Sequence, residues 1–207
     1  MRNSTYLLLS FTLSAGVLAY ACQQQSARQV ASDAYAADTL PYKAPERFDE
    51  LVQVPEDEQR NEWQHPDVII DLLQPLEGKV VADLGAGTGY FSFLLAAEGA
   101  SVIAIDINKA ALDYIREHQQ MVQASTGQIE CRLTTTGETA LQPNEADQVL
   151  LVNTYPYLKN RVQYLKKLIL GMKPGSQVMV VDFKDRDSSF SPASQFRLAA
   201  AIVLDEL

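Results

Sequence analysis

Apolar and polar positions downstream of Gly78 alternate between two rhythms. Short runs dense in Val, Ile and Leu predict strands at residues 79–84, 101–107, 129–134, 148–153 and 177–183. Between them the apolar residues recur at helical spacing. One helix turns Phe91, Leu94 and Leu95 inward. A second follows the cap Asn108 with Leu112, Ile115 and Val122, and a third carries Leu165, Leu168, Ile169 and Met172 before Lys173-Pro174-Gly175. Upstream, His65-Pro66-Asp67 is a helix entrance with proline at the first helical position; Ile69, Leu72 and Leu73 form its stripe and Pro75 ends it. A last helix is expected from Ser191-Pro192, with Phe196, Ala199, Ala200, Val203 and Leu207 on one side. Strands alternating with helices predict an α/β fold, and mostly apolar strands predict a doubly wound, mostly parallel sheet covered on both faces. No internal repeat is present.

The N-terminus follows a different pattern. In MRNSTYLLLSFTLSAGVLAYAC a single Arg2 precedes an apolar stretch at 6–21 and then Cys22. This predicts an export signal over residues 1–22 that stands outside the fold. LAYAC resembles the lipobox of bacterial lipoproteins, whose cysteine is lipidated and becomes the new N-terminus; an uncleaved membrane anchor is the other reading. Both place the domain at a membrane, outside the cytoplasm. Residues 23–45, rich in Ala, Ser and Gln, suit a flexible tether, which leaves 46–207 as one domain.

The chain has 207 residues, 47% of them hydrophobic, with 26 acids against 17 bases and a net charge of -9. That balance repels phosphate backbones and argues against nucleic acid as a partner. Cys22 and Cys131 are not expected to pair, no His, Cys and carboxylate spacing suggests a metal site, and Ser92 falls inside a helix, so no nucleophile elbow exists.

Candidate chemistry concentrates in VVADLGAGTGYF, residues 80–91. Asp83 ends the first strand, where open α/β sheets bind ligands. Gly85, Ala86, Gly87, Thr88 and Gly89 turn the chain into a helix whose free N–H groups face whatever lies on the turn. The spacing is GxGxG, with Tyr90 where a dinucleotide-binding GxGxxG requires its third glycine. The second strand ends in Asp106, about twenty residues after Gly85, a separation that puts an acid on ribose hydroxyls. A nucleoside therefore fits the pocket.

DLGAGTGYF followed by a strand ending in Asp106 resembles the class I S-adenosylmethionine-dependent methyltransferases. The likeness spans about residues 63–183 and implies a Rossmann-like sheet lacking the last strands of that family's seven. The stretch Arg60-Asn61-Glu62-Trp63-Gln64-His65-Pro66, the segment Asn153-Thr154-Tyr155 and LKKLILGMKPGSQVMVVDFK are similar to an exported bacterial subgroup. The resemblance implies that Asp83 and the backbone of Gly85, Gly87 and Gly89 hold the methionine portion of S-adenosylmethionine, and that Ala86 and Tyr90 of the same turn also belong to the cofactor site. It puts Asp106 on the ribose, Ile107 on the adenine ring and Glu138, in the loop after the third strand, at the adenine amino group. Asn153, Tyr155 and Tyr157 become the catalytic and acceptor-side candidates. Histidines often follow the tyrosine in that subgroup; here Pro156 and Tyr157 stand there, and no general base is apparent.

The expected activity is methyl transfer to a small-molecule or protein acceptor. A nucleoside- or partner-binding module without turnover, and an NAD-dependent oxidoreductase, are the alternatives. Trp63 is expected to pin the N-terminal helix or cover the cofactor, and Asp182, Lys184 and Asp185, after the fifth strand, to form a solvated charged loop or, alternatively, to line the acceptor pocket. With no strand after the last helix, the domain is expected to be truncated, leaving the edge of the fifth strand bare, or else to have that edge covered by a partner.

Overall fold

The computed structural model describes residues 6–12, 64–119, 127–184, 192 and 196–207. Cys22, the tether at 23–45, Trp63, Val122, Asp185 and Ser191 lie outside them. In chain order the elements are β1 (Tyr6–Thr12), α1 (Pro66–Leu73), β2 (Val80–Leu84), α2 (Tyr90–Ala97), β3 (Ser101–Asp106), α3 (Lys109–His118), β4 (Gln128–Leu133) and β5 (Ala146–Val152). A 3-10 turn (Tyr155–Tyr157), α4 (Arg161–Gly171), β6 (Met172–Phe183) and α5 (Ala200–Glu206) follow.

The sheet order is β1-β6-β5-β2-β3-β4. Strands β2 to β6 are all parallel, as the alternation with helices requires. The chain first runs outward from β2 through β3 to β4, then returns across β2 to β5 and β6. That reversal opens a crevice at the carboxyl ends of β2 and β5. Period-two alternation divides the strand side chains between two cores. Ala82, Leu84, Val149, Leu151, Val178 and Val180 pack under Leu165 and Leu168 of α4 and Val203 of α5. Val81, Val102, Leu150, Met179 and Val181 pack on Ile69, Ile70 and Leu73 of α1 and Phe91 and Leu95 of α2. Helix α3 sets Leu112 and Ile115 against Ala104.

Four expectations change. The last helix, expected from Ser191, begins only at Ala200, and Arg197 to Ala199 before it are not helical. Lys173-Pro174-Gly175 does not lead from helix to loop but lies inside β6, which starts at Met172. Ala146 pairs with Met172 and Gln148 with Gln177, so the extra residues bulge, with Gly175 at φ +81. Leu72 and Ile169, assigned to apolar stripes, are exposed at the outer margins of α1 and α4. The edge of β6 is not bare: β1 runs antiparallel along it, from Tyr6 opposite Phe183 to Thr12 opposite Gln177. The segment read as standing outside the fold supplies this strand, because the run YLLLSFT has the apolar, β-compatible character that a sheet edge accepts as readily as a signal core does.

Candidate active site

The turn after β2 closes by local hydrogen bonds. The amides of Gly85 and Ala86 both donate to the Ile105 carbonyl, at 2.8 and 3.1 Å, tying the turn to the tip of β3. Its glycines serve three different purposes. Gly85, at φ +76, leaves the space that Thr154 of the β5 loop occupies; a Cβ there would overlap the threonine side chain. Gly89, at φ +90, caps α2 and lets Ile115 and Phe93 close over it. Only Gly87, at φ +55, has nothing within 4 Å of a Cβ position, so its backbone faces open space.

Asp106 holds this geometry from the neighbouring strand. One carboxylate oxygen accepts from the Gly87 amide and the other from the Asn108 amide, both at 2.8 Å. Each oxygen keeps a lone pair for a further donor. The Asn108 side chain accepts from the amides of Ala110 and Ala111 and starts α3, which fixes the strand-to-helix junction.

Between these groups lies a cavity of about 390 Å³, within the range of small-molecule sites. The β2 and β3 tips contribute Leu84, Gly85, Gly87, Ile105, Asp106, Ile107 and Asn108. The loop after β4 contributes Thr134, Thr135, Thr136, Gly137 and Glu138; Asn153, Thr154, Tyr157, Leu158 and Tyr164 close the far side. Lys167 Nζ lies 2.7 Å from Glu138 and 3.0 Å from the Gly137 carbonyl, anchoring the β4 loop to α4.

Of the residues singled out in the sequence, Gly85, Gly87, Asp106, Ile107, Glu138, Asn153 and Tyr157 meet around this cavity. The other five do not line it. Asp83 is 3% exposed, and its carboxylate accepts the Ser92 hydroxyl at 2.7 Å. It occupies the strand position between Ala82 and Leu84 and so faces α2 rather than the cavity. Ala86 packs with Leu112 and Ile115. Gly89 is a packing glycine, and Tyr90 stands edge-on to Phe91 with ring centroids 5.1 Å apart. Tyr155, expected as a catalytic residue, is fully buried, and its hydroxyl donates to Glu206 at 2.8 Å. That hydroxyl secures α5, and burial pushes its ionisation far above the usual tyrosine range.

Asp182 departs furthest from the sequence reading. It belongs to β6 and is 7% exposed, on the face of Val178 and Val180. One oxygen accepts from the Phe183 amide at 2.8 Å; the other has no hydrogen-bond partner. Burial raises its carboxyl to about 7. Burial, and then the charge of Asp182, raises the hydroxyl of Tyr157. Tyr157 also stacks on Phe196, with centroids 5.3 Å apart, so the C-terminal segment backs this wall of the cavity. Thr154, Leu158 and Tyr164 were missed. Thr154 adjoins the marked Asn153, whereas Tyr164 had only its place as an aromatic before an aliphatic stripe.

These features have counterparts. The methyltransferase domain family model matches residues 75–202. The chain belongs to this family. The ubiquinone biosynthesis O-methyltransferase of Pseudomonas paraeruginosa is 31% identical over 112 residues, covering 54% of this chain and 47% of that protein. An uncharacterized methyltransferase of Mycobacterium tuberculosis is 28% identical over 123 residues, covering 59% of this chain and 47% of that protein. The chain therefore spans about half the length of these curated relatives. Among solved structures, a SAM-dependent methyltransferase from Aquifex aeolicus superposes with a TM-score of 0.70 at 21% identity, over 78% of this chain and 86% of that one. The Rossmann-like fold and S-adenosylmethionine as the family's cofactor follow, and the oxidoreductase alternative is not favoured.

Proposed function

We propose that this domain transfers the methyl group of S-adenosylmethionine to an acceptor entering beside Asn153 and Tyr157. The observation that carries the reading is the pairing of Gly87 with Asp106. An uncrowded left-handed peptide and a carboxylate with spare lone pairs bound one cavity at the reversal point of the sheet. The residues fit the cofactor. Gly87 would offer bare backbone to the methionine portion, Asp106 would take the ribose hydroxyls, and Ile107 and Glu138 would hold the adenine. When bound, S-adenosylmethionine supplies an electrophilic methyl on a positively charged sulfur. The chain orients the acceptor, excludes water and removes a proton where the acceptor carries one. In such chemistry positioning contributes more than a strong acid or base.

Calorimetry on the full chain with S-adenosylmethionine, S-adenosylhomocysteine and NAD tests this. The two adenosyl-sulfur ligands are expected to bind, and Asp106→Ala to weaken them about tenfold or more, the scale of a lost charge-assisted hydrogen bond. Binding of NAD alone would overturn the assignment.

We infer export from Arg2, the apolar stretch at 6–21 and Cys22. Mass analysis of membrane-extracted protein tests lipidation: a lipidated Cys22 terminus is expected, and an intact Met1 terminus excludes the lipid in favour of an uncleaved anchor.

A further inference from the structure

The hydroxyls that line the cavity are not alike. Thr134 Oγ1 gives its proton to the Glu138 carbonyl and Thr154 Oγ1 to the Val152 carbonyl, each at 2.9 Å, so both are spent inside the protein. Thr135 and Thr136 are exposed on the rim. Tyr164 differs from all four. The residue is 5% exposed, yet its hydroxyl makes no hydrogen bond with the described residues and is not one of the polar atoms sealed away from solvent. The part of Tyr164 left open borders the cavity. Its ring belongs to the core beneath α4, with Leu151, Leu165 and Leu168. Packing accounts for the ring but not for the oxygen, since a phenylalanine would fill the same space and a buried hydroxyl is ordinarily paired.

Helix α4 sets which end of the cavity this hydroxyl serves. Residues three apart on a helix are neighbours, and three positions after Tyr164 comes Lys167. Lys167 Nζ reaches the Gly137 carbonyl at 3.0 Å and Glu138 Oε1 at 2.7 Å. Tyr164 therefore stands beside the loop after β4, where Glu138 would meet the adenine. Lys167 holds one Glu138 oxygen and leaves Oε2 for another donor. Burial, and then the charge of Glu138, raises the ionisation of the Tyr164 phenol, which stays a proton donor.

We propose that the Tyr164 hydroxyl binds the adenine ring of S-adenosylmethionine, donating to ring nitrogen N1 while Glu138 accepts from the adjoining amino group. This rests on the methyltransferase reading of the same cavity. Adenine carries that donor and that acceptor side by side on one edge, and a phenol beside a carboxylate is their complement. A purine with oxygen in place of the amino group would set its carbonyl against the Glu138 carboxylate and is rejected.

The test is calorimetry on the full chain with S-adenosylhomocysteine and its 1-deaza analogue, in which a C–H replaces N1. In the unaltered chain the analogue is expected to bind about fivefold or more weakly, the scale of one hydrogen bond. Tyr164→Phe is expected to weaken S-adenosylhomocysteine by a similar factor and to leave the analogue within about twofold. Because the hydroxyl makes no bond within the fold, the variant is also expected to keep or raise its denaturation midpoint. Equal binding of the two ligands to the unaltered chain, an undiminished S-adenosylhomocysteine affinity in Tyr164→Phe, equal losses for both ligands, or a lowered midpoint each overturns the proposal. Failure of S-adenosylhomocysteine to bind the unaltered chain overturns instead the reading beneath it.

Discussion

At the scale of single residues, the glycine turn makes a sharp forecast, because its three glycines are required for different reasons. Gly87→Ala carries only the left-handed backbone penalty, about 1 kcal/mol, yet points a methyl into open cavity. It is expected to weaken S-adenosylhomocysteine binding with little loss of stability. Gly85→Ala collides with Thr154 and is expected to cost about 2 kcal/mol or more in chemical denaturation. If both lose stability equally, the division of labour is wrong. A second forecast concerns Asp182. Its folded carboxyl titrates near 7 against a usual 3.8, so the folded chain holds a proton that the unfolded chain releases. Stability therefore falls as pH rises from about 4 to about 7, by an amount on the order of 4 kcal/mol. Asp182→Asn is expected to flatten that slope, read as denaturation midpoints across the window. Sequence could point to the glycines and Asp106 because turn geometry and strand-end position are local properties. It could not place Asp83, Tyr155 or Asp182, because the direction in which a strand-end side chain points depends on which helix packs above it.

At the scale of elements, the strands and helices between Gly78 and Phe183 follow from hydrophobic rhythm alone, with boundaries shifting by a few residues except at the β6 bulge. What holds α5 down was not legible. Arg161, 2% exposed, pairs with Glu206 at 2.6 and 2.7 Å, and Tyr155 donates to the same carboxylate. The partners lie 45 and 51 positions apart, with no local pattern linking them. Glu206→Gln leaves a buried guanidinium without its counter-charge and is expected to destabilise by about 3 kcal/mol in denaturant titration. Replacing both partners with apolar residues, Arg161→Met with Glu206→Leu, is expected to cost less. An equal or larger loss in the double variant would show that the ion pair itself contributes more than its burial costs. The same cluster sits directly behind the Tyr155–Tyr157 turn, so loosening α5 is also expected to blunt acceptor binding before cofactor binding.

At the scale of the whole molecule, the sheet is finished by the strand farthest from it in the chain. Removing residues 1–12 uncovers the β6 edge, and open edges invite pairing between chains. The shortened protein is expected to melt lower and to self-associate in light scattering; a monodisperse sample with an unchanged melting temperature would deny β1 any structural part. Parallel β2 to β6 were foreseeable from the alternation with helices, whereas β1 was not, since an apolar run near the start of a chain reads equally as a leader. The β1–β6 pairing also sets an order of events. Tyr6 leaves the ribosome long before its partner Phe183. Such distant contacts form late, after closure of a very long loop. Until Phe183 has emerged, residues 6–12 have no strand edge to pair with, so over that interval the sheet is held by its five parallel strands alone.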